Sequence, residues 1–183
     1  MNTYIALLRG INVGGKNIIR MAELKQFFLD IGCRDVQTYI QSGNVIFRSD
    51  EPNRDKLAET ISSALRQAFD YQNPLVLIHL SELHRVISEA PPGFGEDIEN
   101  YMYDVLYLIP PLTASETIQQ IPVREDVDRA WKGPGVIYYR RSSEQLTRSM
   151  LNKLPSKPVY RQMTIRNWRT TSKLFELAGQ HNQ

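Results

Sequence analysis

The residue types best suited to chemistry in this 183-residue chain fall in residues 9–17, RGINVGGKN, where Arg9 and Lys16 flank Gly14 and Gly15 just after the apolar run TYIALL. Glycine pairs can turn successive backbone N–H groups toward one point, and neighbouring cations add charge, so such a stretch can hold a phosphate or carboxylate. Gly10 to Asn17 also fits the phosphate-loop pattern G-x-x-x-x-G-K-[ST] at every position except the last, where Asn17 replaces the hydroxyl that would bind magnesium. In a true phosphate loop the helix starts at the lysine, so that its amides and dipole face the anion. Here helical spacing starts only at Met21, and no later strand ends in the metal-binding aspartate that nucleotide hydrolysis needs. A softer anion-binding nest stays open. So does a purely architectural use, in which the glycines take positive φ in a wide turn while Asn12, Ser42 and Asn44 satisfy backbone groups.

Other reactive residue types are scattered. His79 falls in an apolar strand pattern, His84 on the helix after it and His181 in the tail, a spacing that indicates no metal site. Cys33 is the single cysteine. It cannot form an internal disulfide, which agrees with a reducing, cytoplasmic setting, and its place after Gly32 reads as a buried structural thiol. Ser42 has no base placed to activate it. No catalytic residue and no cofactor are therefore assigned, and the sequence leaves open whether the protein is an enzyme.

Charge adds a second pointer. From Arg140 to the end nine Lys or Arg face Glu144 and Glu176, so this part carries +7 of a net +2 and the remainder −5. A basic quarter suits an anionic small molecule or nucleic acid, and equally a solvated helix face. Arg166, Arg169 and Lys173 are predicted to share one face of the last helix, where cations near its N-terminus call for an anion or an acidic neighbour.

These residues need elements to position them. TYIALL predicts a strand, Met21 to Ile31 a helix closed by Gly32, VQTYI and VIF a hairpin around QSGN, Pro52 to Phe69 a second helix and LVLIHL a fourth strand. This βαββαβ order is the ferredoxin-like plan, and a further helix is predicted from Ser81 to Glu89. APPGFGEDIEN reads as a linker or mobile loop. The order then recurs: YDVLYLI, a helix over TASETIQQI, a hairpin DVDRAWK and GVIYYRR, a helix over SEQLTRSMLNKL, a strand VYRQMTI, and a helix from Asn167 to Ala178 closed by Gly179. The fold class expected is α+β, a duplication of two ferredoxin-like subdomains each followed by an extra helix, divided as residues 1–90, linker 91–101 and residues 102–183. In such a unit the loop after the first strand and the turn between the second and third emerge at one end of the sheet. Arg9 to Lys16 should then lie beside Ser42, Gly43 and Asn44.

Four blocks in matching order, ALLRGINVGGKN, TYIQSGNVIF, PPGFG followed by YDVLYL, and MTIRNW, resemble the bacterial domain-of-unknown-function family 1697 over essentially the whole chain. The resemblance implies a conserved, mostly bacterial, soluble protein with two ferredoxin-like subdomains and no biochemical activity established for the family. Its first motif is matched by Arg9, Gly10, Asn12, Val13, Gly14 and Gly15, and its hairpin block by Tyr39, Gln41, Ser42, Gly43 and Asn44. Its R-N-W-N-T block is followed by Arg166, Asn167, Trp168 and Thr170, whereas Arg169 stands where the family carries asparagine.

Ferredoxin-like sheets also bind RNA through exposed aromatics on their central strands. Tyr4 falls near such a position, but SGNVIFRS lacks the basic-glycine start and further aromatics of the RNA-binding motif. Tyr138 and Tyr139 beside Arg140 and Arg141 form a second aromatic-basic combination. The leading expectation is binding of a phosphorylated metabolite, nucleotide or nucleic-acid backbone by Arg9, Asn12, Gly14, Gly15, Lys16, Ser42, Gly43, Asn44, Arg166, Asn167 and Lys173. The alternatives are an enzyme acting on a phosphorylated substrate, a nucleic-acid-binding protein, and a structural or partner-interaction role. No apolar run reaches the roughly 20 residues of a membrane span, so no membrane association is expected, and oligomeric state is not assigned.

Overall fold

Period-2 apolar patterning and two amphipathic helices build the first half. The computed structural model describes residues 1–15 and 17–180. Strands β1 (Asn2–Leu8), β2 (Arg34–Tyr39), β3 (Asn44–Ser49) and β4 (Leu75–His79) alternate with helices α1 (Met21–Asp30) and α2 (Arg54–Phe69), and α3 (Leu80–Ser88) follows. The sheet order is β2-β3-β1-β4, with β1 antiparallel to both neighbours.

Tyr4, Ala6 and Leu8 from β1 and Val45 and Phe47 from β3 point to one face, against Leu24, Phe27 and Phe28 of α1 and Leu57, Ile61 and Leu65 of α2. Each Val, Leu, Ile or Phe among them contributes about 1.5–3 kcal/mol by leaving water. Asn53 caps α2 by accepting from the Asp55 and Lys56 backbone N–H groups at 3.1 and 3.0 Å. Tyr4, expected near an RNA-facing position, is instead a core residue: its ring is buried and its hydroxyl donates to the Glu51 carbonyl at 3.0 Å.

The second half repeats the sheet. Strands β5 (Tyr101–Leu108), β6 (Asp128–Lys132), β7 (Val136–Ser142) and β8 (Met163–Asn167) take the order β6-β7-β5-β8. The fold is thus α+β, with two ferredoxin-like sheets in the duplicated arrangement expected. Leu106, Leu108, Ile137, Tyr139 and Met163 form the core of the second sheet with Leu151, Leu154 and Val159.

Its helical parts depart from expectation. The predicted helix over residues 113–121 is the single turn α4 (Ala114–Thr117) followed by a 3-10 turn, Ile118–Gln120. The predicted helix over residues 143–154 is replaced by 3-10 segments Leu146–Arg148 and Met150–Ser156, with a third, Pro158–Gln162, where a strand was expected to begin. Pro155 and Pro158 supply no N–H, and the Asp128 carboxylate accepts from Ser149 Oγ at 2.6 Å and from the Met150 N–H at 2.8 Å, which fixes extended backbone at Ser149 where a helix would continue. The last helix, α5 (Trp168–Gln180), runs through Gly179 instead of stopping before it.

The chain divides into two compact units, one of Met1–Leu83 with the residues from Lys173 onward and one of His84–Ser172. Among the described residues no helix is long and apolar enough to cross a membrane.

Candidate functional site

The first unit brings the loop after β1 and the β2–β3 turn together, as its topology requires. Asn12, at φ 55°, donates from Nδ2 to the Ile19 and Gln41 carbonyls, each at 2.9 Å, and accepts the Ile19 N–H on Oδ1 at 2.9 Å. One side chain thus closes the loop on itself and ties it to the hairpin. Asn17 Nδ2 adds a bond to the Gly10 carbonyl at 3.1 Å, and the Asn12 N–H donates to the Asn17 carbonyl at 3.1 Å.

On the hairpin side, the Gly43 carbonyl accepts the Leu8 N–H at 2.8 Å. Gly43 has φ +75°, and a Cβ there would lie 2.6 Å from Ile11 Cδ1, so only glycine allows this approach. Asn44 is fully buried and donates to the Tyr39 carbonyl and to Ser42 Oγ, both at 3.0 Å. The Arg9 backbone is pinned by Tyr71, whose hydroxyl accepts its N–H at 2.7 Å and donates to its carbonyl at 2.9 Å.

Loop and hairpin therefore hold each other through backbone-directed amides and leave the tip at the surface. Gly14 and Gly15 take φ +59° and +74°, and a Cβ on either would meet nothing within 4 Å. Val13 and Ile18 flank them at 66% and 72% exposure. Lys16 lies outside the described residues, as does His181. The helix after the loop starts at Met21, well past Lys16, so the phosphate-loop geometry of a helix opening at its lysine is not present.

Arg166 is placed differently from expectation. It is a strand residue, paired with Val105 across β5 and β8, because Met163 to Asn167 complete the sheet before α5 starts. Only 7% exposed, it donates to Thr164 Oγ1 at 2.9 Å and to the Ile165 carbonyl at 2.8 Å. Asn167 caps α5, its Oδ1 accepting the Thr170 N–H at 2.7 Å. Lys173 Nζ pairs with Glu176 at 2.6 Å, and Arg169 is exposed. Arg166 and Asn167 belong to the second unit, Lys173 to the first.

The family question is answered by residues 1–138, which match the model of a protein family of unknown function, DUF1697. The chain belongs to the DUF1697 family. The matched residues contain the loop, hairpin and PPGFG blocks and stop before Arg166. A solved structure, the conserved bacterial protein SP0830 from Streptococcus pneumoniae, superposes with a TM-score of 0.83 at 27% identity, covering 97% of this chain and 98% of that one. No curated protein matches the chain.

The second unit of this DUF1697 chain carries another cluster. Strand pairing sets Arg140 opposite both Tyr103 and Arg129, and Trp131 opposite Tyr138. All five project from the sheet face opposite Leu106, Ile137 and Tyr139. The Arg140 guanidinium carbon lies 3.9 Å from the centre of the Tyr101 ring, and that of Arg129 lies 5.0 Å from the Trp131 ring. Phe94 packs edge-on against Tyr103, Trp131, Tyr138 and Trp168.

Alternation in DRAWK and VIYYRR could have shown this. A strand reading puts Tyr138 with Arg140 on one face and Tyr139 with Arg141 on the other. Arg141 indeed faces away and bonds Asp104 Oδ2 at 3.0 Å, while burial raises the Asp104 carboxyl above its ordinary range against the pull of that arginine.

The remaining reactive groups have structural roles. His79 Nδ1 contacts Ser81 Oγ at 2.6 Å and accepts the Ser81 N–H at 3.2 Å, while Glu82 accepts the His79 N–H at 2.8 Å. This reciprocal arrangement is a capping box at the start of α3. Burial pushes the Cys33 thiol up to about 11, which suits an inert core thiol.

Proposed function

We propose that the protein binds an anionic ligand, a phosphorylated metabolite, a nucleotide or a nucleic-acid backbone, at the loop and hairpin end of its first unit. The observation that carries this reading is the division of labour in the loop. Asn12, Asn17 and Asn44 are committed to holding backbone, and the part they hold in place is the exposed Gly14–Gly15 tip, where a ligand can approach main-chain atoms without meeting a side chain. A backbone pre-set in this way binds an anion without the entropy loss of ordering a mobile loop. Arg9 supplies charge at the base of the loop, and Lys16, which follows Gly15 in the sequence, adds a second cation. The reading is made for the first unit alone, since Arg166 and Asn167 lie in the second and serve its strand and its helix cap.

Titration of the full-length, 15N-labelled protein with pyrophosphate and then with AMP tests this. Saturable shifts of the Gly14, Gly15 and Gly43 amides, weakened at least about fivefold in Arg9→Ala or Lys16→Ala, are expected, as charge-assisted contacts to an anion contribute about 1 kcal/mol or more each. Shifts confined to other residues, or affinity unchanged in both variants, would remove the site.

A further inference from the structure

From the second unit we infer a separate site, in which Arg129, Arg140, Trp131 and Tyr101 form an open platform for a phosphate-linked nucleobase. Arg129 and Arg140 stand directly opposite one another on β6 and β7. Like charges at opposed positions of an antiparallel pair repel. Among the described residues neither arginine has a carboxylate partner, although nearly all other arginines on the strands do: Arg34 pairs with Asp50, Arg48 with Asp35 and Arg141 with Asp104. Arg140 Nε is moreover buried and without a hydrogen-bond partner. What the two guanidiniums do have is aromatic rings, Tyr101 under Arg140 and Trp131 under Arg129. Two uncompensated planar cations laid on aromatic rings match a ligand with an anionic part and a flat part.

The space around them suits such a ligand. A cleft of about 570 Å³ borders Tyr101, Arg129 and Arg140, and a second of about 230 Å³ borders the same two arginines with Trp131 and Phe94. The arginines thus stand on the ridge between two clefts. A phosphate bridging them would let the base attached to it lie on Trp131 or Tyr101, both only half-buried. Of the three carboxylates bordering the larger cleft, Asp126 pairs with Arg148 at 2.8 Å and Asp128 accepts from Ser149 and the Met150 N–H, while Glu125 is exposed to solvent on its rim.

Two sources could present this chemistry, single-stranded nucleic acid and a free nucleotide, and one experiment separates them. Anisotropy of a short fluorescein-labelled oligothymidylate is followed with the full-length protein at low salt, with AMP as competitor. Binding is expected, with log K falling by about 1.4 per tenfold rise in salt if two phosphate contacts are made at about 0.7 each. Arg129→Ala, Arg140→Ala and Trp131→Ala should each weaken it about tenfold, within the range that stacking and charged contacts command. AMP that displaces the oligonucleotide assigns a mononucleotide site, and AMP that does not assigns a strand. No binding of either probe, or binding undiminished in Arg129→Ala with an unchanged circular dichroism spectrum, overturns the inference. Arg129 is exposed, so that variant is decisive even if Arg140→Ala, with its half-buried stem, fails to fold. Oligonucleotide binding that falls in Arg9→Ala but not in Arg129→Ala belongs to the loop site and overturns the inference, so the two sites fail distinguishably.

Discussion

Asn12 Nδ2 donates to the Gln41 carbonyl at 2.9 Å, so a single amide spans from the glycine loop to the hairpin of a different strand pair. With its two bonds to Ile19 this side chain satisfies three backbone groups. Asn12→Ala should therefore lower stability by about 1–3 kcal/mol, the range for leaving such groups without partners, and Asn12→Asp, which sets a carboxylate oxygen against the Ile19 and Gln41 carbonyls where the amide donated, by at least as much. Urea denaturation of both variants checks this.

Two loop glycines should respond differently to alanine. A Cβ at Gly95 would fall 2.2 Å from the Trp168 indole at φ +88°, while Gly14 at φ +59° has open space around it. Gly95→Ala is expected to lose about 2–4 kcal/mol from strain plus overpacking, and Gly14→Ala only the roughly 1–2 kcal/mol of a left-handed backbone. Thermal melting should rank them in that order.

Asp104 should titrate above its ordinary value of 3.8, because burial outweighs the attraction of Arg141. A carboxyl whose folded pKa is raised favours the folded state in its protonated form, so its contribution is present below 3.8 and fades as pH rises through the folded pKa. Wild type should accordingly lose stability relative to Asp104→Asn on going from acid to neutral pH. A carboxyl 13C titration with its midpoint below 3.8 would show that Arg141 wins instead.

The Cys33 thiol, buried and pushed up to about 11, should react with a disulfide reagent at pH 8 only as fast as the protein opens. Reaction in urea above the transition should be complete within the mixing time. Prompt labelling of the native protein would contradict its burial.

Much of this architecture was legible in local pattern. Leu24, Phe27 and Phe28, then Leu57, Ile61 and Leu65, repeat at helical spacing, and the strand alternation around QSGN set the hairpin whose partner loop could be placed by topology alone. Arg166 was not legible as a strand residue: its spacing to Arg169 and Lys173 mimics a helical face, and the pairing with Val105 that keeps it extended is non-local. The 3-10 run from Leu146 to Gln162 escaped for a similar reason, since apolar Leu151 and Leu154 suit an α-helix but Asp128, distant in sequence, takes the Met150 N–H and the Ser149 hydroxyl. At the loop, residue types suggested both architecture and binding. Geometry assigns the asparagines to architecture and leaves the glycine tip exposed.

Phe94 touches both tryptophans of the chain, Trp131 at 5.9 Å and Trp168 at 5.2 Å between ring centres. The tryptophan emission of the protein is thereby wired to one side chain in the PPGFG turn. Any event that lifts this turn from the sheet will change the surroundings of both indoles together, so an unlabelled sample carries its own optical gauge of that segment.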